Sequence, residues 1–295
     1  MPHTMKNRAG FTLVEVMIAL TLTAVLGAAV MGAFVSQSRF FDHQEKVGAA
    51  RAVSRGAINI MMSEMRLVER SGGVASAGSN AITLRVPYVF GMSCGTNANV
   101  LTITTLPADL TGMQDASGVP IPSFAGYAYR LAGGSYVYQE GAVAATTTTV
   151  ATVCTSAGLV PNDGGILPDG DDADVLPDGN IIEMTVATSV PVGAPIFMYH
   201  RIRYEFAAST SVPGRVALWR EVEGAFPPEE LIAPFDTTAE FRYFANDAAT
   251  ATTVPATLSD ITGIEIVLDA VSERPNGDGT FQSVPLTTAV HFKNR

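Results

Sequence analysis

The sequence predicts an α+β protein in which one long N-terminal helix, transmembrane in its first half, packs on a mostly antiparallel β-sheet domain. Three observations predict it. Residues Val16 to Ser38 form 23 consecutive positions without a charge. From Arg39 to about Arg70 apolar residues recur three or four apart, the period of one helix face. Beyond Gly78 the texture changes to short alternating runs rich in Thr, Val, Ile and Tyr, divided by Pro, Gly, Asn and Asp, which read as strands and turns.

The charge-free run, at about 1.5 Å per residue, extends roughly 35 Å, enough to cross a hydrocarbon core of about 30 Å. Lys6 and Arg8 precede it, and the positive-inside bias puts the N-terminus in the cytoplasm and everything after Arg39 outside. A secretory signal peptide shares these ingredients, but its apolar region runs about 7–15 residues to a small-residue cleavage site. This run is longer, and Glu15 stands at its start, where a signal peptide gains nothing from an acid. A carboxylate entering hydrocarbon is costly without a partner, so Glu15 is the first candidate functional residue.

Past the bilayer, Phe40, Val47, Ala50, Ser54, Ala57, Met61, Met65 and Val68 mark one face, with Arg51, Arg55, Glu64 and Glu69 elsewhere. That stripe predicts a helix laid on a globular domain, its methionines serving as core. Gly48 and Gly56 weaken it locally, and "SGGVASAGS" after Arg70 ends it. Strands are predicted at Ala81 to Val86, Val100 to Thr105, Gly126 to Leu131 and Ser135 to Gln139, the last two joined as a hairpin by "AGG". Further strands are predicted at Ile181 to Thr188, Phe197 to Phe206, Val216 to Val222, Glu240 to Phe244, Ile264 to Ala270 and Leu286 to Phe292. "AATTTTVAT" and "DAATATTVPAT" are low-complexity loops or irregular strands with no chemistry in their composition.

The 295 residues carry a net charge of −10 and a pI of about 4.8, which argues against a broad grip on nucleic acid or anionic lipid. Cys94 and Cys154 are the only cysteines. They can form one disulfide if that side of the membrane is oxidising, or remain two free thiols in a reduced domain. Between them, "PNDGGILPDGDDADVLPDGN" brings Asp169, Asp171, Asp172 and Asp174 close together as hard oxygen ligands. Their order does not match an EF-hand loop, so a solvated loop is the favoured reading over calcium, and no cofactor is expected.

Catalytic constellations are missing from the sequence. His3, His43, His200 and His291 form no His-Glu-x-x-His pattern, and there is no Gly-x-Ser-x-Gly elbow or Walker loop. Trp219, within a strand pattern, reads as core or interface. No enzyme is expected.

Gly10 followed by Phe11, Thr12, Leu13, Val14 and Glu15, ahead of some twenty apolar positions, resembles the class III leader junction of type IV prepilins and type II secretion pseudopilins. The resemblance implies that a prepilin peptidase cuts between Gly10 and Phe11 on the cytoplasmic face and methylates the new amine of Phe11. The leader starts at Met1 or Met5 with the same mature chain, whose formal charge becomes −12 once Lys6 and Arg8 are gone. It also implies that Glu15 pairs with the N-terminal amine of a neighbouring subunit as helices stack into a filament. Four residues from its own Phe11 amine, Glu15 also lies one turn away on the same face, near the positive end of the helix dipole.

"HRIRYEF" with "VALWREVEG", then "LSDITGIEIVLDAVSE" and "TTAVHFKNR", resemble strand pairs of PilW-type minor pilins and the pseudopilin J group. The helix end "INIMMSEMRLVERSGG" is similar too. The resemblance divides the chain into a leader (1–10), a transmembrane half-helix (11–38), a periplasmic half-helix (39–70) and a pilin-like β domain (71–295). It implies a minor subunit of the bacterial inner membrane, acting in assembly of a pilus or pseudopilus tip complex. The partners it implies are prepilin peptidase, sister major and minor subunits and the inner-membrane assembly platform, with no nucleic acid. Because Glu15 is present, the chain lacks the departure of cap subunits such as pseudopilin K, where that acid is missing. The alternative is a pilus-displayed adhesin or ligand-binding subunit.

Overall fold

Fifty-three residues, Leu13–Met65, form one unbroken helix, α1, in the computed structural model, which describes residues 12–105, 124–143, 145–148, 181–186, 188–224, 226–246, 248–253, 257–276 and 279–292. Its first half packs against no other described element: Leu13, Leu20, Leu26, Met31 and Phe34 are all more than half exposed. An apolar helix of this length that buries no side chain against its own protein is suited to lipid, because its backbone groups are satisfied within the helix. Its hydroxyls are satisfied there too. Thr21 Oγ1 donates to Ile18 O at 2.9 Å and Thr23 Oγ1 to Ala19 O at 2.7 Å.

The second half lays its predicted stripe on the sheet. Ala50, Ser54, Ala57, Met61 and Met65 are buried along α1, and Val68 continues the line just beyond it. The stripe starts later than its sequence period suggests: Phe40 is 58% exposed and Val47 only partly covered. The helix also ends earlier, at Met65 rather than near Arg70. Bonds from Leu67 N to Glu64 O (3.0 Å) and Val68 N to Met65 O (3.2 Å) tighten the last turn. The chain then folds back sharply at Gly72 and Gly73. A Cβ on Gly73 would stand 2.2 Å from Glu69 O, and one on Gly72, whose φ is +84°, 2.6 Å from the Tyr138 ring.

Among the described residues thirteen strands make one sheet: β1 (Val74–Ala77), β2 (Ala81–Asn97), β3 (Val100–Thr105), β4 (Phe124–Arg130), β5 (Tyr136–Val143), β6 (Ala145–Thr148), β7 (Ile181–Thr185), β8 (Pro195–Ala208), β9 (Val216–Val222), β10 (Phe226–Phe235), β11 (Glu240–Ala245), β12 (Ile261–Val271) and β13 (Ser283–His291). Every pairing is antiparallel. The order is β11-β12-β10-β9-β8-β2-β3-β7-β6, with β13 also on β12, β1 on β2, and the β4–β5 hairpin on β8.

The long strands each serve two partners along one edge. β8 gives residues 196–199 to β4 and residues 202–208 to β9. β2 gives residues 82–84 to β1 and residues 91–97 to β3. These handovers divide the interior in two. One core joins Ala57, Met61 and Met65 of the helix to Ile82, Leu84, Tyr204, Leu218, Phe235, Phe241, Ile264 and Leu268. The other joins Val89, Leu101, Ile103, Phe124, Tyr127, Met184 and Met198, away from the helix. Helix and sheet lie close at Gly56, where a Cβ would stand 2.8 Å from Ile232 Cδ1.

β3 and β9 have their predicted bounds, while β2, β8 and β12 extend further than the short alternating runs suggested. Three strands were not predicted. β10 contains Pro227, Pro228 and Pro234, residues that argue against a ladder position. It forms because its pairing with β9 is repeatedly interrupted by register shifts, so some residues need not donate. β1 is only four residues long, and β6 lies within the threonine-rich run read as loop or irregular strand.

Candidate assembly site at the helix N-terminus

Thr12 is the N-cap of α1, with φ −78° and ψ 149°, the extended backbone that lets its side chain turn back over the first turn. Its amide donates to Glu15 Oε2 at 2.9 Å and its hydroxyl to the same oxygen at 3.0 Å, while Glu15 N donates to Thr12 Oγ1 at 3.3 Å. This is a reciprocal capping box, and Thr12-Leu13-Val14-Glu15 has the Thr-x-x-Glu spacing that encodes it. Sequence reasoning singled out Glu15 for its charge and missed this local role, though the spacing was there to be seen.

The cap leaves Glu15 Oε1 without a bond to any described residue. Around it, Leu13, Val14 and Val16 are exposed at 79%, 62% and 47%. A shallow groove lined by Glu15, Val16, Ala19, Leu20 and Thr23 climbs the same face. Glu15, Ala19 and Thr23 follow at four-residue spacing, and small side chains above the acid allow close approach of a second helix. Gly10 and Phe11 lie outside the described residues.

The other candidate residues do not converge. Ring contacts hold His200 between Phe124 at 4.9 Å and Tyr88 at 5.0 Å. Burial, with the Arg220 charge, pushes its pKa below the usual imidazole value. His291 instead sits against Phe244 at 4.7 Å on β13, so the two histidines share no site. Trp219 is half-buried on β9, its indole donating to Ala208 O at 3.3 Å. Cys94 is buried and disulfide-bonded; Cys154, Asp169, Asp171, Asp172 and Asp174 lie outside the described residues. Among the described residues no group of three or more His, Cys, Asp or Glu is placed to hold a metal ion.

Two carboxylates that the sequence left unassigned have structural work. Glu64 accepts from the Tyr204 hydroxyl at 2.6 Å and from Arg220 at 2.7 Å, fastening the helix to β8 and β9. Burial and the nearby Glu64 charge both push the Tyr204 pKa up. Burial raises the pKa of Glu230, but hydrogen bonds from Ser211, Thr210 and Ser209 outweigh it and hold the carboxyl down to about 2. Each acid is thus held by donors of its own chain.

Residues 5–31 match a family described as the prokaryotic N-terminal methylation motif. The match supports a type IV pilin-like family, and a prepilin-type motif implies processing by prepilin peptidase and assembly with other pilins. Together with the exposed apolar half of α1 it fits membrane anchoring. No curated protein and no solved structure matches the chain.

Proposed function

We propose that this protein is a minor pilin or pseudopilin, a structural subunit that enters the tip complex of a type IV pilus or type II secretion pseudopilus. The observation that carries the reading is the placement of Glu15: inside the methylation motif, in the first turn of a helix whose next two dozen residues are exposed and pack on no other described element. The capping box engages Glu15 Oε2 alone, and Oε1 has no use among the described residues. In a stack of like helices it has one.

In this reading the peptidase cuts after Gly10, Phe11 becomes the methylated terminus, and the subunit waits in the inner membrane with its β domain in the periplasm. The new cationic amine is one residue from Thr12, whose amide already holds Glu15 Oε2. The chain's own terminus therefore offsets the acid before assembly. On docking, the amine of a neighbour takes the free Oε1, and the groove over Ala19 and Thr23 seats its helix. Such a pair in a low-dielectric setting favours correct register and disfavours misplaced subunits, because an unsatisfied charge there is costly. The size of the β domain and its strand patterns support the PilW-type and pseudopilin J comparison, and a disulfide between Cys94 and Cys154 would suit an oxidising periplasm.

Intact mass of the mature protein from membranes of its own host tests the reading. The expected species begins at Phe11 and carries one added methyl group. A chain that retains its leader, or one cut within residues 28–33, would remove the basis for assembly.

A further inference from the structure

The solvent-facing side of α1 carries Arg51 and Arg55, and its C-cap is Arg66, all exposed, with no ion pair or side-chain hydrogen bond to a described residue. At about 100° per residue the three fall within an arc of roughly 60°, and Arg51 and Arg66 stand roughly 22 Å apart along the axis. Asn59 and Ser63, also exposed, fill the interval. The only carboxylate of the helix beyond Lys46 is Glu64, and it faces the sheet, bonded to Tyr204 and Arg220. Within the sheet several arginines are matched, Arg85 with Glu140, Arg203 with Glu205, Arg220 with Glu64 and Arg242 with Glu240, whereas Arg39 and Arg274 are exposed singly without an ion pair to a described residue. An unmatched cationic line is thus a local departure in a chain of net charge −10.

Three anionic surfaces could meet such a line, and two fit poorly. Arg51 lies 13 residues past Ser38, roughly 20 Å along the helix, and Arg66 roughly 42 Å. A headgroup layer attracts charges only within about a Debye length of the membrane surface. Nucleic acid would be repelled by the rest of the chain. A carboxylate-rich protein surface fits the spacing and the chemistry, since guanidinium groups bind carboxylates through paired donors and a rigid rod of them fixes register.

We propose that Arg51, Arg55 and Arg66 form a docking strip for the carboxylate-rich surface of another protein chain lying alongside α1. It rests on the filament-subunit reading only for the expectation that this chain is a sister subunit.

The test places a photo-crosslinking p-benzoylphenylalanine at position 59 of the full-length chain in its own host and maps the adducts. The expected adduct is a protein segment rich in Asp and Glu. Its yield should fall roughly fivefold or more in R51E/R55E/R66E through charge repulsion, and persist in R51K/R55K/R66K. In membranes carrying the otherwise unaltered chain, yield should also fall between about 0.05 and about 0.5 M salt. An adduct to lipid or nucleic acid, an adduct to a segment without carboxylates, no adduct, or a yield indifferent to charge or salt would overturn the strip. Intact mass of the same sample separates the two ideas. A processed, methylated chain without the adduct sinks the strip alone, whereas the adduct on an unprocessed chain upholds the strip and sinks the filament reading.

Discussion

Glu64→Ala removes the single acceptor shared by the Tyr204 hydroxyl and the Arg220 guanidinium. Both donors are long-range, 140 and 156 residues away in sequence, so the bonds join α1 to the sheet rather than to itself. The Arg220 and Glu64 side chains keep 22% and 21% of their surface exposed, which leaves the pair only partly screened. Hydrogen bonds to a charged group contribute about 1.5–3 kcal/mol each in such settings. Some of this returns, because Arg220 retains Glu229 at 3.8 Å. The Tyr204 hydroxyl keeps only the neighbouring Arg220 guanidinium, a donor that offers it no acceptor, and a buried hydroxyl with an unsatisfied proton costs about 1–3 kcal/mol.

A net loss of about 2–4 kcal/mol is expected, and at roughly 2–4 °C per kcal/mol for a domain of this size Tm should fall by roughly 4–16 °C. The assay is near-UV circular dichroism of the full-length chain in detergent micelles, which reads the packing of the β domain rather than total helix. Glu64→Gln keeps a neutral acceptor and should lose about half as much. If Glu64→Ala melts with the parent, the helix is held by its apolar stripe alone and the reasoning fails.

Glu15→Ala removes the carboxylate that accepts from Thr12, so the first turn of α1 should fray while membrane insertion is unchanged; incorporation into filaments should be lost, and normal incorporation would refute the pairing role. His200 has a folded pKa below its unfolded value of about 6.5. Stability from its neutral form is therefore complete above that value and lost as pH falls through it toward the folded pKa, so Tm should drop more between about pH 7.5 and pH 5.5 than in His200→Phe. Gly73→Ala puts a methyl against a backbone carbonyl and should cost about 1–3 kcal/mol, whereas Gly48→Ala, with nothing within 4 Å, should be neutral or stabilising by denaturation in the same micelles. Non-reducing peptide mapping should recover Cys94 linked to Cys154; a Cys94 peptide joined to any other chain would refute that pairing.

Much of the architecture was legible because its cause is local. The period of Ala50, Ser54, Ala57, Met61 and Met65 records which side of α1 meets the core, and Val16 to Ser38 record a helix that meets none. The alternation in Val100–Thr105 and Val216–Val222 fixed those strands to the residue. Thr12 and Glu15 at capping-box spacing were equally readable. β10 was hidden because proline content is a local signal, whereas its ladder depends on register shifts against β9.

The true end of α1 was hidden for the same reason. Gly72 and Gly73 turn where they do because the Tyr138 ring, carried in by the β4–β5 hairpin, and the backbone of Glu69 leave no room for a Cβ. Readable from the sequence alone were the helix, its apolar first half, the β class of the rest and the methylation motif, all properties of residues a few positions apart. Only the tertiary structure decided that Glu64 serves Tyr204 and Arg220, that His200 and His291 stay separate, and that Arg51, Arg55 and Arg66 are left facing solvent. Those outcomes depend on which strands the chain brings together across separations of a hundred residues and more, and no short-range pattern encodes them.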